Sequence, residues 1–162
     1  MRPGRRLLAG ACLLTACAGS KDTTQGGGAA KASVSPGAQS YQRVCANCHL
    51  ETGLGMVPAY RSLVGSPWAT GSVDRAVAIV LFGVQGPVRD VDVTYYTAML
   101  PYGSGARMSD DEVAAAITHV RTSWGNHASV VTAADVARVR ARFPARTTGF
   151  TQAELDGWTD QP

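Results

Sequence analysis

Apolar residues recur at helical spacing in several separate stretches of the chain. Ala38, Tyr41, Val44 and Cys45 share one face of residues 38–48. Val73, Ala76, Val77, Val80 and Leu81 do the same over 73–82, behind Ser72, whose hydroxyl is suited to cap exposed N–H groups, and Gly83 ends the run. A third stripe, Val113, Ala116, Ile117, Val120 and Trp124, opens at Ser109-Asp110-Asp111-Glu112. That opening is a capping box, with Ser at N-cap and Glu at N3, and Gly125-Asn126 closes the helix. Val91 to Tyr95 alone has the alternation of a short extended pair. The pattern predicts an all-α fold of three main helices and glycine-rich loops over residues 37–126. Beyond it, Val136, Val139 and Phe143 predict an amphipathic helix from Thr132 to Arg142, and Thr151–Glu154 cap a final turn. Residues 127–162 are thus expected to be a C-terminal helical extension. Its arginines, Arg138, Arg140, Arg142 and Arg146, are read as solvated, with a docking element for a redox partner as the sharper alternative.

The first residues have another pattern. Arg2, Arg5 and Arg6 precede a short apolar run, Leu7–Ala16, too short to span a bilayer. This is a targeting segment, residues 1–16. Leu14-Thr15-Ala16-Cys17 resembles a bacterial lipobox, which makes Cys17 the expected acylated residue and the new N-terminus. An ordinary secretory cleavage nearby is the alternative. Either way Cys12 leaves with the segment, and no cysteine remains for a structural disulfide. Residues 17–36 are rich in Gly, Ala, Ser and Thr, hold one aliphatic, Val34, and no aromatic. Such a composition cannot offset ordering entropy and reads as a flexible linker with a reach of roughly 25 Å.

Processing also changes the charge. The 162-residue chain carries a formal net charge of +3. Losing Arg2, Arg5 and Arg6 takes the Lys and Arg count from 15 to 12, equal to the Asp and Glu count of 12. No basic run alternates with aromatics, so nucleic acid is set aside as a partner.

Cys45-Ala46-Asn47-Cys48-His49 is a C-x-x-C-H motif, the attachment signature of a c-type haem. Two thiols add across the porphyrin vinyl groups, and the adjacent imidazole becomes the proximal axial ligand of the iron. Zinc is a poor competitor, because it needs four tetrahedral ligands and Cys48 and His49 are neighbours. A thioredoxin-like motif needs a strand before it, and a plain disulfide leaves His49 without a role. The motif therefore assigns one covalent haem c to Cys45 and Cys48, with His49 on the iron. Its single copy excludes a two-haem peroxidase.

Gly37 and Tyr41, eight and four positions before Cys45, join several further motifs. These are Gly83-Val84-Gln85-Gly86-Pro87, Met99-Leu100-Pro101-Tyr102-Gly103, Met108 to Glu112, and Val120 to Asn126. With them, residues 37–126 resemble the class I monohaem cytochrome c family, in a bacterial subgroup serving dehydrogenases, reductases and oxidases. The resemblance implies the small cytochrome c fold, with a crossing of first and last helices at Gly37 and Tyr41. It also implies Met99 as the distal ligand, a soft thioether that favours ferrous iron. Met108, Met56, His119 and His127 are the other candidates, with Met108 also readable as a hydrophobic staple against Val113. His119 stands where the family usually has an aromatic and is read as packing at the helix crossing. Arg61 and Ser62 replace the family's usual prolines, near a backbone carbonyl that usually accepts the second N–H of the proximal histidine. Trp68, Tyr95 and Tyr96 are read as haem walls.

The expected protein is thus an exported, lipid-anchored electron carrier in the periplasm, not an enzyme in the bond-making sense. Its partners would be redox proteins, and the membrane through Cys17. A haem-based gas sensor with a labile sixth position and a fixed electron-transfer subunit of a larger complex are the alternatives.

Overall fold

The computed structural model describes residues 34–102 and 108–160. The targeting segment, Cys17 and the linker up to residue 33 lie outside the described residues. Ser35 and Pro36, placed in the linker by composition, belong to a helix start. Ser35 Oγ accepts the Ala38 N–H at 3.2 Å, and Pro36 opens helix α1, Pro36–Val44, where its missing N–H costs nothing. After a break at Cys45, one turn, α2, covers Ala46–His49. A second single turn, α3, Pro67–Thr70, leads to α4, Val73–Phe82, capped by Ser72 Oγ on the Arg75 N–H at 3.2 Å.

Helices carry the fold; among the described residues the regular β structure is one small antiparallel pair. β1, Val88–Arg89, faces β2, Thr94–Tyr95, in the register Val88 to Tyr95. The extended run expected from Val91 is therefore shorter. Asp90 N–H donates to Val93 O at 2.7 Å and closes a turn there, leaving Val91 at its solvent-facing tip.

Helix α5, Asp110–Thr122, has both bonds of its capping box, Glu112 N–H to Ser109 Oγ at 3.2 Å and Ser109 N–H to Glu112 Oε2 at 2.9 Å. It stops short of Trp124, which the apolar stripe placed on its inner face. Trp124 instead adopts a φ of 53°, and its indole N–H donates to Glu51 O at 3.1 Å. The tryptophan packs on Tyr41 of α1, not along its own helix. Helices α6, Ala133–Arg142, and α7, Gln152–Asp156, begin with capping boxes at Thr132 and Thr151.

Helix α1 crosses α5 closely, because Gly37 has no side chain: a Cβ there would lie 2.4 Å from Ala115 O. One turn on, Tyr41 is fully buried, with the His119 and Trp124 rings 5.2 and 5.1 Å away and its hydroxyl donating to Leu50 O at 2.6 Å. Helix α6 lies on α4 and α5, and Val136, Val139 and Leu155 join Val77, Leu81 and Val113 in one apolar core. The extension is thus built into the same core as the helices before it.

Its arginines are paired, not simply solvated. Arg138 meets Asp74 at 2.5 Å and Asp135 at 2.7 Å, Arg140 meets Asp110 at 2.6 Å, and Arg146 meets Glu154 at 2.9 Å. Arg121, on α5, is buried. It donates to Ser129 O at 2.7 Å, Ser129 Oγ at 2.9 Å, Ala69 O at 2.7 Å and Gly71 O at 3.0 Å. Four acceptors compensate a guanidinium that burial would otherwise make costly.

Candidate haem-binding site

Between α2, α4 and α5 lies a cavity of about 390 Å³, within the range of cofactor pockets. Its wall is largely apolar, with Ile79, Val80, Val84, Val88, Ile117 and Val120 among the lining residues. Cys45, Cys48, His49 and Met99 line it as well. The C-x-x-C-H segment reaches the cavity because α1 breaks at Cys45 and α2 turns the motif along its edge.

His49 is oriented by its backbone surroundings. Its Nδ1 lies 2.9 Å from Arg61 O, so the N–H belongs on Nδ1 and the Nε2 lone pair remains for a metal. Burial lowers the pKa of His49, with the Arg61 bond opposing it, and the ring stays in the neutral, ligating form. The carbonyl comes from one of the positions where the resembled family has proline. The arginine side chain adds a further tie, two bonds from Nε and Nη2 to Asp90 at 2.8 and 3.1 Å, with its guanidinium 4.5 Å above the Trp68 ring. Asn126 holds the same loop against α5: its Oδ1 accepts Gly65 N–H at 2.8 Å, and its Nδ2 donates to Leu63 O at 3.1 Å and Val120 O at 2.8 Å. Burial, and then the charge of Cys48, pushes the free Cys45 thiol up to about 11.

Met99 is held on a short backbone ladder. Its N–H donates to Val84 O at 3.0 Å and its carbonyl accepts Val84 N–H at 2.9 Å. Gly83, at φ +80°, permits this approach, since a Cβ there would lie 2.3 Å from Met99 O. The other candidate ligands lie elsewhere. Met108 is buried in the helical core, Met56 is partly exposed, and His127 is exposed. His119 packs on Tyr41 and Trp124, with Nδ1 3.1 Å from Ser123 Oγ. Trp68 and Tyr95 line the cavity, whereas Tyr96 is largely exposed. The Trp68 N–H goes to Asp156 Oδ1 at 3.1 Å, which makes it a wall and not a donor into the cavity. Sequence reasoning missed Arg61's side chain and Asn126, whose partners are distant in the chain.

Two thiols, a neutral imidazole with a free nitrogen and a thioether around a large apolar cavity fit a haem. Comparison with known proteins agrees. The family model described as cytochrome C oxidase, cbb3-type, subunit III matches residues 32–120. Cytochrome c-552 of Thermus thermophilus is 30% identical over 115 residues, covering 65% of this chain and 85% of that protein. The alcohol dehydrogenase (quinone) cytochrome c subunit of Gluconacetobacter polyoxogenes is 30% identical over 126 residues, 76% of this chain. The fructose dehydrogenase cytochrome subunit of Gluconobacter japonicus is 32% identical over 108 residues, 65% of this chain. The chain spans only 26% and 22% of those two subunits' lengths. With the motif, the cavity and these matches together, the chain belongs to the monohaem cytochrome c family, in the group described as cytochrome C oxidase, cbb3-type, subunit III, with haem c as its cofactor.

Proposed function

We propose that this chain is a lipid-anchored cytochrome facing the periplasm, which passes single electrons between redox proteins. Cys45 and Cys48 would hold the haem through thioether bonds, and His49 and Met99 would ligate its iron. The observation that carries the ligand assignment is that His49 and Met99 line one cavity, while the competing methionines and histidines do not. When bound, haem c supplies a one-electron Fe(III)/Fe(II) couple. The chain's part is to hold the imidazole by Arg61 O, to hold the thioether on the Val84 ladder, and to keep water from the cavity with apolar walls.

Residues 1–17 support export and acylation at Cys17, and residues 17–36 would then be the linker. No helix of the described residues is long and apolar enough to cross a membrane. The partners are dehydrogenases, reductases or oxidases. A fixed place in a larger complex is the second reading, favoured by relatives named as subunits of alcohol and fructose dehydrogenases.

Ligation is tested by two variants. Met99→Ala should abolish the weak sulfur-to-iron absorption of the ferric protein, lower its potential and admit carbon monoxide. Met108→Ala should leave these properties intact while costing about 2–5 kcal/mol of stability, as buried methionine truncations do. The reverse pattern would move the ligand to Met108. Acyl chains found by mass spectrometry on Cys17, lost with membrane attachment in Cys17→Ser, would support the anchor. Soluble, unmodified wild-type protein starting beyond Cys17 would overturn it.

A further inference from the structure

The segment around Val84, on which Met99 is held, has a second edge, and the C-terminal extension occupies it. Val84 gives both of its backbone groups to Met99. Its neighbours face the other way: Gly83 O accepts Phe150 N–H at 2.9 Å, and Gln85 N–H donates to Phe150 O at 2.9 Å. Met99, Val84 and Phe150 therefore form a three-stranded bridge with residue 84 in the middle.

Phe150 is itself firmly held. It is buried, with the rings of Phe82, Phe143 and Trp158 at 6.0, 5.4 and 5.7 Å and the Arg146 guanidinium 3.5 Å over its face. Arg146 also grips Glu154 through two bonds, at 2.9 and 3.0 Å, and Gly149 O at 2.9 Å. Two residues on, Gln152 makes a second attachment: Oε1 accepts Arg89 N–H at 2.7 Å and Nε2 donates to Arg89 O at 3.0 Å. Arg89 lies in β1, next to Val88 of the cavity wall. The bracing residues from Phe143 to Trp158 all lie beyond the stretch that the family model covers, 32–120.

We propose that residues 143–158 are a positioning brace for the sixth ligand, with Phe150 and Gln152 holding the Val84 and Arg89 backbones so that Met99 resists displacement from the iron. A thioether is a neutral ligand on a loop, and how readily it leaves follows how readily that loop opens. The proposal rests on reading Met99 as the ligand. Phe150 and Gln152 act through the backbone, and neither lines the cavity.

The test uses the full-length haem-loaded protein with the variants Gln152→Ala, Gly149→Val and Met99→Ala. A Cβ at Gly149 would meet Gln85 N and Val84 C at 3.0 Å each, so valine should push the two strands apart. Both brace variants should keep their covalent haem and helical circular dichroism. They should bind carbon monoxide in the ferrous state roughly tenfold more readily, the scale of one or two lost hydrogen bonds. On heating, their sulfur-to-iron band should vanish well before the helices melt. If Gly149→Val does not fold, Gln152→Ala decides, since it removes only two bonds at a half-exposed side chain. Unchanged carbon monoxide binding and band stability in the brace variants, with the band lost in Met99→Ala, would overturn the brace alone. Survival of the band in Met99→Ala would overturn the ligand assignment, and the brace with it.

Discussion

Arg121 shows how much a single side chain does in so small a core. Its guanidinium joins α5 to the end of α3 and to the segment before α6, through four neutral acceptors. Burial lowers its pKa, yet arginine stays charged at any physiological pH. Arg121→Met keeps the stem and leaves three backbone carbonyls without their donor. The expected cost is about 3 kcal/mol or more, read as a lower denaturation midpoint with an unchanged haem spectrum. Nothing local announces this residue. In the sequence it is one arginine near the end of an amphipathic helix, and its partners lie 50 and 52 positions back and 8 ahead. Cys45, Cys48 and His49 were legible for the opposite reason, because five contiguous residues carry that chemistry by themselves. Met99 became a ligand candidate only through resemblance; its ladder partner, Val84, had no signal of its own.

Helix starts were the most readable elements, because a cap is decided within four residues. Ser72, Ser109 and Thr151 each cap as their spacing implies, and Thr132, read as the first residue of its helix, is the N-cap of α6. Helix ends were less so. Trp124 has the right spacing for α5, but its ring packs on Tyr41 and its N–H reaches Glu51, and those tertiary contacts outweigh the helical period. The caps of α6 and α7 also give the extension a pH limit. Asp135 is held down to about 2, first by its bond from the Thr132 hydroxyl, and Glu154 to about 2, first by Arg146. Both folded values lie below the ordinary carboxylate range of about 4, so the stabilisation is fully present above that range. It is lost as pH falls from about 4 towards 2. In a mild acid titration followed by NMR, signals of Val139 and Leu155 should broaden before those of Val77 and Val113. Thr151→Ala should cost about 1 kcal/mol and bring that loss to higher pH.

At the scale of the whole molecule, charge and shape divide the work. Arg138 and Arg140 pair with Asp74 on α4 and Asp110 on α5 and so fasten α6 to the body of the domain, whereas Arg138–Asp135 and Arg146–Glu154 tie the extension within itself. The cavity has an effect of another kind, on when the chain can fold at all. A chain made without haem would have to keep about 390 Å³ open among apolar side chains. Its apolar wall would then face water instead of the cofactor, a loss of burial that weighs heavily against the roughly 5–15 kcal/mol by which a domain is stable. Such a chain should remain expanded. The Cys45→Ser, Cys48→Ser double variant, unable to retain haem covalently, should show weak helical dichroism and rapid proteolysis once its haem is extracted; a compact, protease-resistant product would contradict this. Attachment of the cofactor is then also an act of quality control, since a chain that misses its haem stays open to the proteases of its compartment.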